Sequence, residues 1–229
     1  MILIVFSDIH GNIYSLEQAL REMDKYKPEN YLFLGDMAGY YYHQNECINL
    51  LMGIPNLISL KGNHDANFLK AINNDVLLNK LTNKYGKSYQ LLKKNITNES
   101  LEYFYSLQDY EKNDIYEAYH GSPDNYLNEY IYPDNKFSTF ECIPTPFLFM
   151  GHTHYLMNKN INNTIIINPG SIGQPRDYNQ PSFAVIDTIS KHTELVRYDY
   201  DTTSLKKDIL LLDDDKYLIK ILDRRQNEI

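Results

Sequence analysis

Five short blocks of this 229-residue chain carry side chains able to bind metal ions. They are Asp8-Ile9-His10, Gly35-Asp36, Gly62-Asn63-His64-Asp65, His120-Gly121 and Gly151-His152-Thr153-His154. The chain has 7 histidines, and all but His43 and His192 fall inside these blocks, a concentration that scattered surface histidines would not give. Imidazole nitrogens mixed with carboxylate oxygens suit Mn, Fe, Zn, Co or Ni better than Ca or Mg alone. About seven candidate donors are too many for one tetrahedral ion. Two ions sharing a bridging carboxylate, roughly 3.5–4 Å apart, match the donor number better. Read as extended backbone, Asp-x-His and His-x-His place both members on one side, because strand side chains alternate with period 2.

Donors so far apart in sequence need rigid elements to gather them. Each block follows an apolar run, at once or after one residue: Ile2–Phe6, Tyr31–Leu34, Leu57–Leu60, Ile115–Tyr119 and Phe147–Met150. Continuous apolar runs of this length read as strands buried on both faces. Helical spacing of Ile13, Leu16, Leu20 and Met23, with Asn12 as N-cap, and of Asn45–Met52 places helices between the first three strands. That order is the pattern of a parallel sheet with crossovers, whose sites gather outside the carboxyl ends of the strands. Residues 66–112 carry helical spacing such as Leu101, Phe104 and Leu107 and read as two or three inserted helices. Further strands are expected at Ile165–Ile167, Phe183–Asp187 and Glu194–Tyr198, a helix near Thr203–Leu211 and an end segment at Tyr217–Leu222. No Pro/Gly/Ser linker or repeat divides the chain, so residues 1–229 read as a single domain.

Composition narrows the partners. A net charge of −8, with no basic run longer than Lys93-Lys94 or Arg224-Arg225, argues against a duplex nucleic-acid surface. No apolar stretch approaches the ~20 residues of a membrane span. Cys47 and Cys142 show no CxxC spacing, which with the missing signal peptide points to the cytoplasm.

Taken together and in order, the five blocks resemble the signature set of the calcineurin-like metallophosphoesterases. Asn168-Pro169-Gly170-Ser171-Ile172-Gly173-Gln174-Pro175-Arg176 extends the resemblance toward the small bacterial and archaeal phosphodiesterase branch. The resemblance implies an α/β fold: a four-layer α/β/β/α sandwich of two mixed sheets, here with a helical insertion at about 66–112. It implies two divalent transition-metal ions, manganese first among them, with iron, nickel, zinc or cobalt as alternatives. Asp8, His10 and His154 would hold one ion, Asn63, His120 and His152 the other, and Asp36 would bridge them with a water or hydroxide that serves as nucleophile. His64 would stand outside the ligand shell and donate a proton to the leaving oxygen or steady the phosphoryl group, with Asp65 orienting it. The implied activity is hydrolysis of a small phosphate ester, a phosphodiester first. A phosphomonoesterase, a nucleotide pyrophosphohydrolase and a non-catalytic protein-binding scaffold are the rival readings.

One departure bears on substrate. Protein Ser/Thr phosphatases and bis-nucleoside tetraphosphatases continue the Gly-Asp block into an Asp-Arg pair, whereas this chain runs Gly35-Asp36-Met37-Ala38-Gly39-Tyr40. Arg176 could supply the missing cation. Tyr40-Tyr41-Tyr42 reads as pocket wall or as a stacking surface, and Asn168 as the holder of a turn. His43 and His192 read as ordinary packing or surface. The insertion reads as an appendage, a lid or a surface for a homo-oligomer.

Overall fold

The structure, a computed structural model, describes residues 1–213 and 217–223. The remaining positions of the expected single domain, Arg224 and Arg225 among them, lie outside the described residues.

Two five-stranded sheets form the centre. The first has the order β10-β9-β1-β2-β3, built from β1 (Ile2–Phe6), β2 (Asn30–Phe33), β3 (Leu57–Ser59), β9 (Ser182–Asp187) and β10 (His192–Arg197). β1, β2 and β3 run parallel, while β9 and β10 add antiparallel strands. The second has the order β4-β5-β6-β8-β7, from β4 (Tyr110–Lys112), β5 (Tyr116–Tyr119), β6 (Phe147–Met150), β7 (Leu156–Ile161) and β8 (Thr164–Pro169). Here β5, β6 and β8 are parallel, with antiparallel strands at both edges. Both sheets are therefore mixed, as expected.

Strand alternation explains the layers. Leu3 and Val5 turn one way from β1 and join Leu32, Ala118, Phe147, Phe149 and Ile167 in a core between the sheets. Ile4 and Phe6 turn the other way, onto α1 (Ile13–Asp24), α2 (Gln44–Met52) and the helices that follow β3. Such an interior, at ~1.5–3 kcal/mol per buried large apolar side chain, fixes the strand ends in place. The outer face of the second sheet is covered more thinly, by Ile131, Phe137, Phe140 and Ile143 around a single 3₁₀ turn at Ser138–Phe140. α7 (Thr203–Leu212) and α8 (Tyr217–Leu222) pack on Tyr40, Tyr41 and Tyr14.

Three local expectations change. The segment after β3 holds four helices rather than two or three: α3 (Asn63–Ala71), α4 (Asp75–Tyr85), α5 (Ser88–Asn95) and α6 (Asn98–Ser106). The first starts at Asn63, so the Asn-His-Asp block is the opening turn of a helix. β7 had no apolar signal because it is a half-exposed edge strand carrying Asn158, Lys159 and Asn160.

Candidate metal centre

β1, β2, β5 and β6 end side by side, and the loops that leave them are laced backbone to backbone. Asp8 N–H donates to Gly35 O at 2.9 Å, His10 N–H to Asp36 O at 3.0 Å, and Gly151 N–H to His120 O at 2.9 Å. The loop after β8 joins them through Ile172 N–H to Ser7 O and Gly173 N–H to Asp8 O. Asn168 does hold a turn there: its amide donates to Gly151 O at 2.7 Å and accepts from Gly170 N–H.

Two groups of donors result. Asp8, His10 and His154 form one, Asp36, His120 and His152 the other, each with its ligand atoms within 4.8 Å of one another. All six residues are buried. Asn63 joins the second group, its Oδ1 3.1 Å from His120 Nε2. Asp36 Oδ2 lies between the groups, 3.3 Å from His120 Nε2 and 3.9 Å from His10 Nε2.

The pairs share a pocket for a different reason from the one the spacing suggested. Asp8, His10, His152 and His154 are not extended; their φ values are 57°, 52°, 67° and 61°, and Asp36 stands at 66°. Left-handed backbone costs a non-glycine residue on the order of 1 kcal/mol. Five such residues together approach the net stability of a domain, so the cost is tolerated where function and lacing hold it. The glycines beside them are needed for contact. A Cβ on Gly62 would lie 2.0 Å from Asp36 Oδ1.

Outer hydrogen bonds orient the imidazoles. Nδ1 of His10 faces Ala38 O at 2.7 Å, that of His120 faces Leu34 O at 2.9 Å, and that of His154 faces Gln174 O at 2.5 Å. A carbonyl only accepts, so each Nδ1 carries a proton and each Nε2 faces inward, where the neutral ring offers a lone pair. Two such lone pairs, on His10 and His154, then sit 3.2 Å apart. That arrangement repels unless a cation or a proton stands between them. Among the described residues, Asp8 Oδ1, Asp36 Oδ2 and His152 Nε2 are buried without a hydrogen-bond partner. Buried oxygens of this kind carry a heavy cost unless an ion satisfies them. The residues present therefore fit a pair of divalent cations.

Electrostatics agree for the metal-free protein. Burial disfavours the ionised form of Asp8, but His154 and His10 outweigh it and hold the carboxyl well below its usual range. Asp36 is held low in the same way, against burial, by His120 and His64. His120 is opposed by burial yet raised to about 9 by Asp36. Burial pushes His152 down to about 3 and His154 to about 4, the latter helped by Arg176.

Asp65 does not contact the His64 ring as expected. Its carboxylate accepts four backbone N–H groups, from Asp36 at 2.8 Å, Met37 at 2.9 Å, Ala38 at 2.8 Å and Gly62 at 2.9 Å. The cause is helical geometry: consecutive residues of α3 do not face one another. Asp65 caps the helix and ties it to the loop that carries Asp36. His64 stands beside the donors, its ring centre 4.9 Å from that of His10, with its N–H on Asp36 Oδ1 at 2.8 Å. Its Nδ1 meets the hydroxyl of Tyr89 at 2.8 Å.

Arg176 follows the same loop inward. Its backbone N–H donates to His154 O, and its guanidinium donates to Tyr40 Oη at 3.0 Å. Among the described residues no carboxylate lies within ion-pair distance of it. Tyr130 covers His152, ring centres 3.9 Å apart. Sequence reasoning overlooked Tyr89 and Tyr130, because one tyrosine among 21 carries no local signal.

A family model described as the calcineurin-like phosphoesterase superfamily domain matches residues 1–191. The chain is 32% identical over 219 residues to an uncharacterized protein of Methanocaldococcus jannaschii, covering 86% of this chain and 87% of that one. Its fold is similar to a metallophosphoesterase from Sphaerobacter thermophilus, with a TM-score of 0.82, 25% identity, and coverage of 97% of this chain and 99% of the other. A hypothetical protein from Pyrococcus horikoshii has the same fold, with a TM-score of 0.84, 23% identity, and coverage of 96% and 97%. The strand-end donor groups and the match across residues 1–191 agree, and the chain belongs to the calcineurin-like phosphoesterase superfamily.

Proposed function

We propose that the chain is a hydrolase of small phosphate esters, phosphodiesters first, that depends on two divalent transition-metal ions. The observation that carries this reading is Asp36 Oδ2, buried, without a hydrogen-bond partner and within 4 Å of an imidazole from each donor group. Asp8, His10 and His154 would hold one ion and Asn63, His120 and His152 the other, with Asp36 between them. When bound, such a pair neutralises phosphoryl charge and lowers the pKa of a shared water toward ~7, manganese being the first candidate.

The rest of the work falls to side chains. His64, outside both donor groups, donates a hydrogen bond that steadies the phosphoryl group and the departing oxygen, worth ~1.5–3 kcal/mol to a charged acceptor. Arg176 binds a non-bridging phosphoryl oxygen and is held for it by Tyr40. A guanidinium with no carboxylate partner suits an anionic oxygen. Gly39-Tyr40 in place of an Asp-Arg pair removes an arginine that would bind phosphoryl oxygens, which counts against a doubly charged monoester.

The test is hydrolysis of bis-p-nitrophenyl phosphate by metal-stripped protein before and after addition of Mn²⁺, with p-nitrophenyl phosphate in parallel. Metal-dependent turnover of the diester supports the reading. Turnover of the monoester alone favours a phosphomonoesterase, and no turnover of either by metal-loaded protein contradicts hydrolysis.

A further inference from the structure

We propose that Tyr89 is the residue that positions His64, so that the helical insertion fixes which nitrogen of this imidazole donates a hydrogen bond in the active site. The kinetic part of this proposal rests on the phosphate-ester reading; the spectroscopic part does not.

A neutral histidine that is to donate a hydrogen bond from Nε2 must have its other nitrogen held as an acceptor. The natural candidate, Asp65, is fully engaged by four backbone N–H groups. The partner found at Nδ1 is the phenol of Tyr89, from α5, at 2.8 Å. Among the described residues its only other acceptor is His64 O, at 3.4 Å. A phenol oxygen can also accept, but accepting from Nδ1–H would leave its own proton only the weak 3.4 Å contact. The hydroxyl therefore donates to Nδ1, and the ring proton is assigned to Nε2. A carboxylate in this place would do the reverse, accepting from Nδ1–H and leaving Nε2 without a proton in the neutral ring.

Three further features fix the arrangement. Tyr89 is fully buried, so no water competes for its hydroxyl. The ring of His64 is flanked by Tyr85 at 4.6 Å and Tyr40 at 5.1 Å, which prevents rotation away from Tyr89. Gly39, with φ at 88°, leaves the space beside Nδ1 open: a Cβ there would lie 2.4 Å from that atom. The position that departs from the Asp-Arg pattern is thus the one that admits the insertion's tyrosine.

The decisive experiment has two arms. In zinc-loaded, ¹⁵N-histidine-labelled protein, long-range ¹H–¹⁵N correlations report which nitrogen of His64 carries the proton, with His64→Gln identifying the signals. The expected result is a neutral ring with N–H at Nε2, and loss of that single tautomer in Tyr89→Phe. A proton on Nδ1 in the unsubstituted protein, or an unchanged tautomer in Tyr89→Phe, overturns the proposal.

In the second arm, kcat is measured on diaryl phosphodiesters with leaving phenols of graded acidity. Tyr89→Phe should lower kcat roughly 10-fold to 100-fold for the least acidic phenols, whose departing oxygens carry the most negative charge to meet a hydrogen bond from Nε2. It should leave p-nitrophenyl release, KM and metal content close to unchanged. Added to His64→Ala it should have no further effect. An equal loss on every leaving group, or effects that multiply, overturns the positioning role. If the unsubstituted protein hydrolyses no ester, the phosphate-ester reading fails and the spectroscopic arm alone decides the role of Tyr89.

Discussion

Asp36 and His10 meet across the pocket, Oδ2 of one 3.9 Å from Nε2 of the other, although Asp36 groups with His120 and His152. A carboxylate that reaches both sets of donors can be satisfied by two ions at once. Asp36→Asn keeps the Oδ1 acceptor that His64 N–H uses and removes the charge from Oδ2. It should reduce tightly bound metal from about two ions per chain to one or fewer, as read by elemental analysis after dialysis. Full retention of both ions would exclude a bridging role.

His64 stands among the donors without joining either group. His64→Ala should lower kcat by roughly 10-fold to 100-fold on a diester with a weakly acidic leaving phenol, while metal content stays near that of the unsubstituted protein. Steady-state kinetics with parallel metal analysis checks this. Loss of an ion together with activity would move His64 into the ligand set.

Arg176 donates to Tyr40 Oη at 3.0 Å, and in the proposed function this guanidinium meets the substrate's phosphoryl oxygen. Arg176→Gln should raise KM for a phosphodiester by about 10-fold or more, since a charge-assisted hydrogen bond is worth ~1.5–3 kcal/mol. Tyr40→Phe, which frees but does not remove the guanidinium, should raise it less. Unchanged KM in Arg176→Gln would place the guanidinium away from substrate.

Gly39→Ala tests the packing at Nδ1. A left-handed φ and a Cβ 2.4 Å from His64 Nδ1 should destabilise the protein by about 1–3 kcal/mol and lower turnover. Denaturant unfolding and kinetics read the two effects. A variant of normal stability and activity would show that the ring is free to move.

Metal-free protein should lose stability on mild acidification. His152 and His154 are held near 3 and 4, below the ordinary 6.5, so the unfolded chain takes up their protons first as pH falls. Their contribution is complete above about 6.5 and declines toward 4. His120, raised to about 9, acts oppositely and loses its contribution only as pH rises through that value, so it is constant over this window. Chemical denaturation of chelator-treated protein should show a fall on the order of 2 kcal/mol between pH 6.5 and 5. A flat profile would mean that these imidazoles are not neutral in the fold.

The donors themselves were legible in the sequence because each follows an apolar run, and a run buried on both faces fixes where its end lies. Their geometry was legible only in part. Asp8-x-His10 and His152-x-His154 share a pocket through left-handed backbone, which spacing does not encode. The role expected of Asp65 came from adjacency, and adjacency misleads inside a helix, where successive side chains diverge. Tyr89 lies 25 residues beyond His64, on the second helix after the one that carries His64. Only the packing of α5 against α4 and the helix-side core brings it there. The thin outer cover of the second sheet and the polar edge strand β7 were likewise hidden, because half-exposed elements carry little apolar signal.

The most direct test of the central claim is reconstitution of metal-stripped protein with Mn²⁺, followed by counting of bound ions and by electron paramagnetic resonance. Two ions per chain with the signature of a spin-coupled pair are the expected result. A single isolated Mn²⁺, or two ions with no coupling, would contradict a shared dinuclear centre built on Asp36.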